Sequence, residues 1–440
     1  MLFWFMIGEL MGLKNIIKKI SPSFLFGAYH WCRSYLAALS YGWPAKKLVV
    51  IGVTGTKGKS TTSLMVWHIL QNLGHKTGLV STAQLAVGNE VWINDLKMTM
   101  PGRNNLQKLF KRMVQSGCTH VVVETSSEGL AQWRHIGIPY QVAVFTNLAP
   151  EHLESHGSYE NYRAAKGRLF GSLKKNNNSV AVVNLDDKEA DYFLNFPASQ
   201  KIGFTVNAAN NKLVDAVLIA KIKEVTPRSA TFVVNNLPAN LSVGGEFNIE
   251  NALAALGAIT SLGIPLAKAI SSLESFLGAP GRLEFINVGQ NFKVVVDYAH
   301  TPESLEAIYK ILKPEGKLIA VLGSCGGGRD KAKREVLGKL AGTYADLVFI
   351  TNEDPYDEDP RIIMEAVAAG TKQAGKILGE DLWIVPERRQ AIHEALSKAQ
   401  ANDVVIITGK GSEQWLCVAH NQKIPWDDRK VVREELNKII

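Results

Sequence analysis

The sequence predicts an α/β protein made of two parallel-sheet units behind a short helical N-terminal segment. Three observations predict it. From residue 47 onward, apolar runs of strand length alternate with stretches of helical spacing, the pattern of a parallel sheet covered on both faces. A glycine-rich turn at 52–62 joins one such strand directly to a helix. A second series of the same alternation follows the turn Gly278-Ala279-Pro280-Gly281, which reads as a boundary. A length of 440 residues suits about three domains at ~150 residues each.

Residues 1–45 read as one or two helices rich in aromatics, among them Trp4, Phe5, Tyr29, Trp31, Tyr35 and Trp43. Two readings stand for them: a helical cap packed on the next domain, or an interfacial anchor in which basic residues interleave with apolar ones. Residues 48–53 form a buried-strand run, and residues 60–73 have helical spacing. Residues 118–123, 141–145 and 179–184 are further strands, with a helix at 159–173 between the last two. Short apolar runs between polar residues over 200–243 predict a small antiparallel excursion. Helices follow at 247–262 and 266–277. The second unit carries strands at 293–297, 317–322, 345–350, 382–385 and 403–408, with helices between.

Hydrophobic residues at 46% and charged residues at 20% exclude a disordered chain. The net charge of +8 invites a nucleic-acid reading, but its distribution argues against one. Residues 1–50 hold six basic residues and one acid, so the rest of the chain is close to balance. Cys32, Cys118, Cys325 and Cys417 form no CxxC pair, and a disulfide framework is not expected in a chain of this length. A reducing cytosol fits this usage. The apolar start lacks the flanks of a secretory leader, and His30 and Arg33 interrupt the longest apolar stretch, so no spanning helix is expected. A peripheral membrane contact through residues 1–45 is the open membrane reading.

The motif with the clearest chemistry is Gly52-Val53-Thr54-Gly55-Thr56-Lys57-Gly58-Lys59-Ser60-Thr61-Thr62, entered from a strand and left by a helix. Glycines let backbone N–H groups turn toward phosphate oxygens, and the helix N-terminus adds a favourable dipole. Lys59 would reach the outer phosphates and Ser60 would ligate Mg²⁺. Val53 stands where the general pattern has its first glycine.

Other candidates sit at strand ends, where open α/β sheets place ligands. Glu124 ends the run Val121-Val122-Val123, ahead of the hydroxyl-rich turn Thr125-Ser126-Ser127. His152 follows the strand that ends at Phe145, a position that suits a metal ligand. Asp297 ends a strand and suits ribose hydroxyls. The glycine-rich turns at 323–331 and 408–413 suit an anion, although a tight turn alone explains their glycines. Spacing alone does not single out Lys166, since most helix lysines are solvated.

Five motifs in order resemble the Mur ligase family. They are residues 52–60; Glu-Thr-Ser-Ser-Glu-Gly-Leu at 124–130; Asn-Leu-Ala-Pro-Glu-His-Leu-Glu-Ser-His-Gly at 147–157 with Ala-Ala-Lys at 164–166; Gly-Glu-Phe-Asn-Ile-Glu-Asn at 245–251 with Gly-Arg-Leu-Glu at 281–284; and Asp-Tyr-Ala-His-Thr-Pro at 297–302. The resemblance runs from about Tyr41 to the C-terminus. It implies a P-loop ATPase-like central domain with a mostly parallel sheet over 46–280, a Rossmann-like C-terminal domain over 281–440, and a reduced segment at 1–45 where the family usually has a domain that grips uridine diphosphate.

The resemblance also implies an activity: ATP-dependent amide formation through an acyl phosphate, adding the third amino acid to a muramoyl-dipeptide precursor of peptidoglycan. By the same carry-over, Gly55, Thr56, Lys57, Gly58, Lys59, Ser60 and Thr61 hold the ATP phosphates, and Asn251, Arg282 and Asp297 contact adenine, phosphate and ribose. Ser60, Glu124 and His152 are implied as Mg²⁺ ligands. Lys166 matches the family's carbamylated lysine, which supports the second metal. Lys59, Glu124, His152 and Lys166 are the implied catalytic set, and Ser127 and Arg134 match positions that touch the muramoyl-peptide. The diaminopimelate-selecting motif Asp-Asn-Pro-Arg is replaced here by Glu353-Asp354-Pro355-Tyr356. A basic amino acid such as L-lysine is therefore expected, with Glu353, Asp354 or Glu413 facing its ammonium. The competing readings are a related ligase with another carboxylate acceptor, lipid-linked or folylpolyglutamate-like, and a non-catalytic nucleotide-binding scaffold.

Overall fold

The computed structural model describes residues 23–96, 98–151, 153–173, 178–207, 213–312 and 316–440. The first unit is one eleven-stranded sheet. Its strands in chain order are β1 (Val49–Thr54), β2 (Thr77–Val80), β3 (Gln84–Val87), β4 (Glu90–Ile93), β5 (His120–Glu124), β6 (Tyr140–Phe145), β7 (Val180–Asn184), β8 (Gln200–Thr205), β9 (Ala216–Val225), β10 (Ala230–Val234) and β11 (Leu237–Leu241). They lie in the order β11-β10-β9-β8-β7-β6-β1-β5-β2-β3-β4. The run from β9 to β2 is parallel, and an antiparallel extension closes each edge. The predicted mostly parallel α/β sheet is found.

The near-continuous apolar strands follow from burial on both faces. In β1, Ile51 and Val53 point into one core and Val50 into the other. In β7, Val180 and Val182 join the first core and Ala181 and Val183 the second. That alternation is the period of two that the pleat imposes. The helices Lys59–Asn72 and Glu246–Thr260 cover the first face; Arg103–Gln115 and Tyr159–Gly171 cover the second. Gly257 lets its helix lie close to the sheet, since a Cβ there would sit 2.7 Å from Val182 Cγ1.

The antiparallel excursion expected over 200–243 is smaller than the sequence suggests. β8 is parallel to β7, and Ala216–Ile219 of β9 continue the parallel run. Only from Ala220 does β9 turn to antiparallel pairing, with β10. The polar residues that break the pattern mark a strand with one exposed face, not an end to the parallel sheet.

The second unit is a six-stranded sheet. Its strands are β12 (Glu284–Ile286), β13 (Lys293–Val296), β14 (Leu318–Leu322), β15 (Leu347–Ile350), β16 (Leu382–Ile384) and β17 (Val404–Ile407), in the order β12-β13-β17-β14-β15-β16. All pairs are parallel except β12–β13. A small hairpin of β18 (Trp415–Cys417) and β19 (Lys423–Pro425) follows. Its Trp415 Nε1 donates to Asp95 O of the first unit at 2.9 Å.

Of the N-terminal segment, the helix Ser23–Ser40 is described, followed by a 3-10 turn at Pro44–Lys47. Ser34, Ala37 and Ala38 are buried where the helix packs on Arg103–Gln115. Its other face leaves Tyr29, Trp31, Tyr35, Leu36 and Leu39 exposed. The remainder of the segment lies outside the described residues.

One buried ion pair ties the second unit together. Arg388 donates from Nε and Nη2 to the two carboxylate oxygens of Asp428 at 2.9 and 2.7 Å, and both side chains are fully buried. Arg388 also donates to Thr408 O, and Trp426 Nε1 to Asp428 Oδ1. Removing one member strands a buried charge. We expect Asp428→Ala to lower the unfolding free energy by about 3–5 kcal/mol. Urea titration followed by circular dichroism measures this, and a loss below ~1 kcal/mol would contradict the assignment.

Candidate active site

The site begins with strand register. Val53 of β1 lies opposite Glu124 of β5, and Thr54 opposite Phe145 of β6. Thr54 Oγ1 donates to Thr125 O at 2.8 Å, and Thr146 N to Thr54 O at 3.0 Å. Three loops therefore leave the sheet at one level on its carboxyl edge, beside the strand where the order of connections reverses.

The loop after β1 is a phosphate-binding shape. Gly55 has φ 154°, and a Cβ there would lie 1.9 Å from Thr146 Oγ1. Gly58 has φ 80°, in the left-handed region, and its Cβ would lie 2.1 Å from Asn251 Oδ1. The neighbouring loop braces this turn. Asn147 Oδ1 accepts from Lys57 N at 2.8 Å, Thr146 Oγ1 donates to Lys57 O at 2.7 Å, and Ala149 N donates to Thr56 Oγ1 at 3.0 Å. The helix Lys59–Asn72 starts at once, with no side-chain cap and no acid in its first turn. Its leading N–H groups and its dipole are thus left for an anion.

Charged groups converge behind and beside this loop. Ser60 Oγ donates to Glu124 Oε2 at 2.9 Å. Thr82 adds its backbone N–H to Oε2 at 2.7 Å and its hydroxyl to Oε1 at 3.0 Å. Lys59 Nζ folds back onto Thr56 O at 2.8 Å, and burial lowers its pKa against the opposing pull of Glu124 and Glu151. Lys166, 1% exposed, donates to Gly55 O at 2.6 Å and sits over the Tyr162 ring. Its pKa is well below the ordinary lysine value, first through burial and then through the charge of Lys59. Lys57 Nζ reaches Glu151 Oε1 at 3.1 Å and, from the second unit, Thr301 Oγ1 at 2.7 Å.

The second unit supplies the facing wall. Asp297, at the end of β13, accepts from Leu283 N and Ala299 N, each at 2.6 Å. Burial raises its pKa, and Arg282 opposes that shift. The Arg282 guanidinium lies over the Tyr298 ring at 4.0 Å, and its Nη1 is buried with no hydrogen-bond partner. An unpartnered buried N–H on a guanidinium is placed to meet an acceptor, and an anionic one best. The Tyr298 hydroxyl donates to Glu413 Oε1 at 3.3 Å. Glu413 and Asp354 in turn both accept from the fully buried Lys410 Nζ, at 2.6 and 2.8 Å.

A cleft of about 460 Å³ between the two units gathers most of the residues singled out by the sequence. Thr56, Lys57, Gly58, Lys59, Ser60, Thr61, Glu124, Ser127, Arg134, Asn251, Arg282 and Asp297 line it. Gly55 and Lys166 lie just beneath, joined by their hydrogen bond. His152 lies outside the described residues. Glu353, Asp354 and Glu413 are set back from the cleft wall. Asp354 and Glu413 are held by Lys410, and Glu353 accepts from Cys325 Sγ at 3.0 Å. The expectation that Asp354 or Glu413 faces an incoming ammonium thus meets an internal lysine already between them. Thr82, Tyr298 and Arg329 also line the cleft and were not singled out from the sequence. Thr82 reaches Glu124 because β2 lies beside β5, a crossover that no local pattern displays.

Residues 53–259 match the Mur ligase middle domain, and residues 281–411 match the Mur ligase glutamate ligase domain. A UDP-N-acetylmuramyl-tripeptide synthetase from Roseiflexus sp. is 37% identical over 422 residues, spanning 92% of this chain and 81% of that protein. A UDP-N-acetylmuramoyl-L-alanyl-D-glutamate–2,6-diaminopimelate ligase from Bacillus cereus is 36% identical, spanning 91% and 80%. A solved structure of a ligase with that second name superimposes with a TM-score of 0.60 at 32% identity, covering 89% of this chain and 78% of its own. The braced phosphate loop, the facing second unit and these likenesses together place the chain in the Mur ligase family, as an ATP-dependent ligase.

Proposed function

We propose that this chain uses ATP to join a third amino acid, L-lysine or another diamino acid, to UDP-N-acetylmuramoyl-L-alanyl-D-glutamate, in the cytoplasmic assembly of peptidoglycan. The observation that carries this reading is the convergence of Lys59, Ser60, Glu124 and Lys166 at one end of a cleft whose other wall carries Arg282 and Asp297. We assign ATP binding to a central domain over 46–280 and the amino acid to a C-terminal domain over 281–440.

The residues fit the groups this reaction needs. The open helix start, the left-handed Gly58 and Lys59 suit a triphosphate. Ser60 and Glu124 are hard oxygen donors that suit part of a Mg²⁺ shell, which takes its other positions from phosphates and water. Among the described residues no three His, Cys, Asp or Glu side chains gather into a group that could hold a metal ion. His152 and a carbamylated Lys166 are the further ligands we assign. When bound, Mg²⁺ neutralises charge on the phosphoryl oxygens.

The acceptor carboxylate, on a muramoyl-peptide held along the cleft by Ser127 and Arg134, would attack the γ-phosphorus of ATP. A bond forms from carboxylate oxygen to phosphorus, and the bond to the ADP oxygen breaks. Lys59 would offset the charge on the transferring group. The amine of the amino acid then forms a bond to the carbonyl carbon, and phosphate leaves as the nitrogen loses a proton. Burial favours the neutral form of the Lys166 amine, the form that adds CO₂ to give a carbamate.

Tyr356 in place of arginine removes the cation that would hold a distal carboxylate, which favours a basic amino acid over diaminopimelate. The exposed Tyr29, Trp31, Tyr35, Leu36 and Leu39 on the helix Ser23–Ser40 support a peripheral membrane contact through residues 1–45. Among the described residues no helix is long and apolar enough to cross a membrane.

Phosphate release with ATP, the muramoyl-dipeptide nucleotide and an amino-acid panel tests the reaction. Turnover with L-lysine and little with diaminopimelate is expected; the reverse overturns the amino-acid assignment, and none with any amino acid overturns the ligase. Lys166→Met should lower kcat by at least about 100-fold. The same variant should raise stability in CO₂-free buffer, because it removes a buried amine. In the wild type the folded pKa is depressed, so the unfolded chain binds more protons between that value and the ordinary 10.5. Stability should therefore rise with pH through that window, and less so in Lys166→Met. Urea midpoints across pH read both effects; full activity in the variant removes Lys166 from the site.

A further inference from the structure

Where the helix Ser23–Ser40 packs on Arg103–Gln115, three arginines meet without ion-pair partners among the described residues. Arg103 donates from Nε to Ser34 Oγ at 2.8 Å and from Nη2 to Gln132 O at 2.9 Å and to His30 Nδ1. Arg134 donates from Nη2 to Gln132 Oε1 at 2.8 Å and from Nη1 to Met100 O, and its Nε is buried with no partner. Arg33 donates from Nη1 to Tyr29 Oη at 2.8 Å on the exposed side. Among the described residues every hydrogen-bond acceptor these arginines use is uncharged.

The three charges converge on the same two groups, His30 and Arg103. His30 is pushed down to about 4 by burial, with Arg103, Arg134 and Arg33 each contributing. Arg33 and Arg134 also lower the pKa of Arg103. Glu128 is the acid whose field reaches Arg134. Gathering half-buried like charges costs free energy that an arriving anion would return. Guanidinium groups suit phosphate oxygens in particular, because they present planar pairs of N–H donors. Arg134 lines the cleft, so the cluster is continuous with the site already described.

We propose that Arg33, Arg103 and Arg134 form an anion site that takes the diphosphate of the acceptor's carrier. The assignment rests on the muramoyl-peptide reading above, and it gives the helix Ser23–Ser40 a part in substrate binding. The shared chemistry is a diphosphate ester; a soluble nucleotide and a lipid are its two sources. On this assignment the outer end of the cleft reads the diphosphate, and the inner end does the chemistry.

Two measurements separate this proposal from the reading beneath it. In the first, binding of UDP and of inorganic pyrophosphate is titrated calorimetrically with the ATP site filled by a non-hydrolysable ATP analogue. Saturable binding is expected in the wild type and a loss of about ten-fold or more in Arg33→Ala and in Arg103→Ala, the size of one charge-assisted hydrogen bond. Arg33→Ala removes an exposed side chain and leaves the helix packing alone; Arg103→Lys should restore part of the affinity. No binding in the wild type, or binding that neither variant weakens, overturns the site even if the ligase is active.

In the second, KM is compared for UDP-linked, lipid-diphosphate-linked and phosphate-free muramoyl-dipeptide. The arginine variants should raise KM about ten-fold for a diphosphate-bearing acceptor, leave its kcat, and leave the phosphate-free acceptor unchanged. The diphosphate form that shows the effect identifies the carrier. An equal rise for all three acceptors means a structural role and overturns the proposal. Absence of turnover with every acceptor counts against the ligase reading, while the binding titration still decides the site.

Discussion

A parallel ladder fixes where its strands stop, because each residue of one strand is held opposite a partner of the next. Here β1 is clasped between β5 and β6 with Val53 beside both Glu124 and Val144. A one-residue slip would turn each strand's core residues to the opposite face, and the two separate cores forbid it. The first unit's share of the site follows from that lock. Ser60 meets Glu124 and the loop at 146–149 braces the phosphate turn because these strands end together.

The same lock explains the unusual state of Lys166. A buried lysine amine whose hydrogen-bond partner among the described residues is a carbonyl oxygen is a poor place for a charge, and a second lysine nearby makes it poorer. Such a cost is repaid where an amine serves as a nucleophile rather than as a cation, which is the use that the proposed carbamate would make of Lys166. Arg388 is the contrasting case. It is as deeply buried, but both oxygens of Asp428 and a backbone carbonyl answer it, so it remains charged and structural.

Much of this was legible in the sequence because it is local. A strand, a glycine-rich turn and a helix in direct succession announce the phosphate loop, and the apolar runs announce both sheets. Glu124 was legible as a strand-end acid. The partners that hold it were not, since Thr82 arrives through a neighbouring strand 42 residues away. Lys166 carries no signal in its own helix; only resemblance marks it, and only burial explains it. The strands over 200–243 misled because exposure on one face of β9 imitates an antiparallel pattern. For Asp354 and Glu413 the carboxylates were visible but Lys410, a neighbour of one and 56 residues from the other, was not seen as their common partner.

Among the described residues two hydrogen bonds besides the chain itself tie the sheet units together: Lys57 to Thr301, with His300 Nε2 3.8 Å from Glu151 Oε1 beside it, and Trp415 to Asp95. With the covalent crossing these make three points of attachment. A rigid rotation can keep all three still only if they share a line, so swinging one unit on the other means withdrawing a bolt. Trp415's bond lies in the open, at the rim. The other bolt is thrown from inside the phosphate loop, by a lysine that also holds Glu151. Any such swing would therefore be latched by the same turn of chain that would receive the triphosphate.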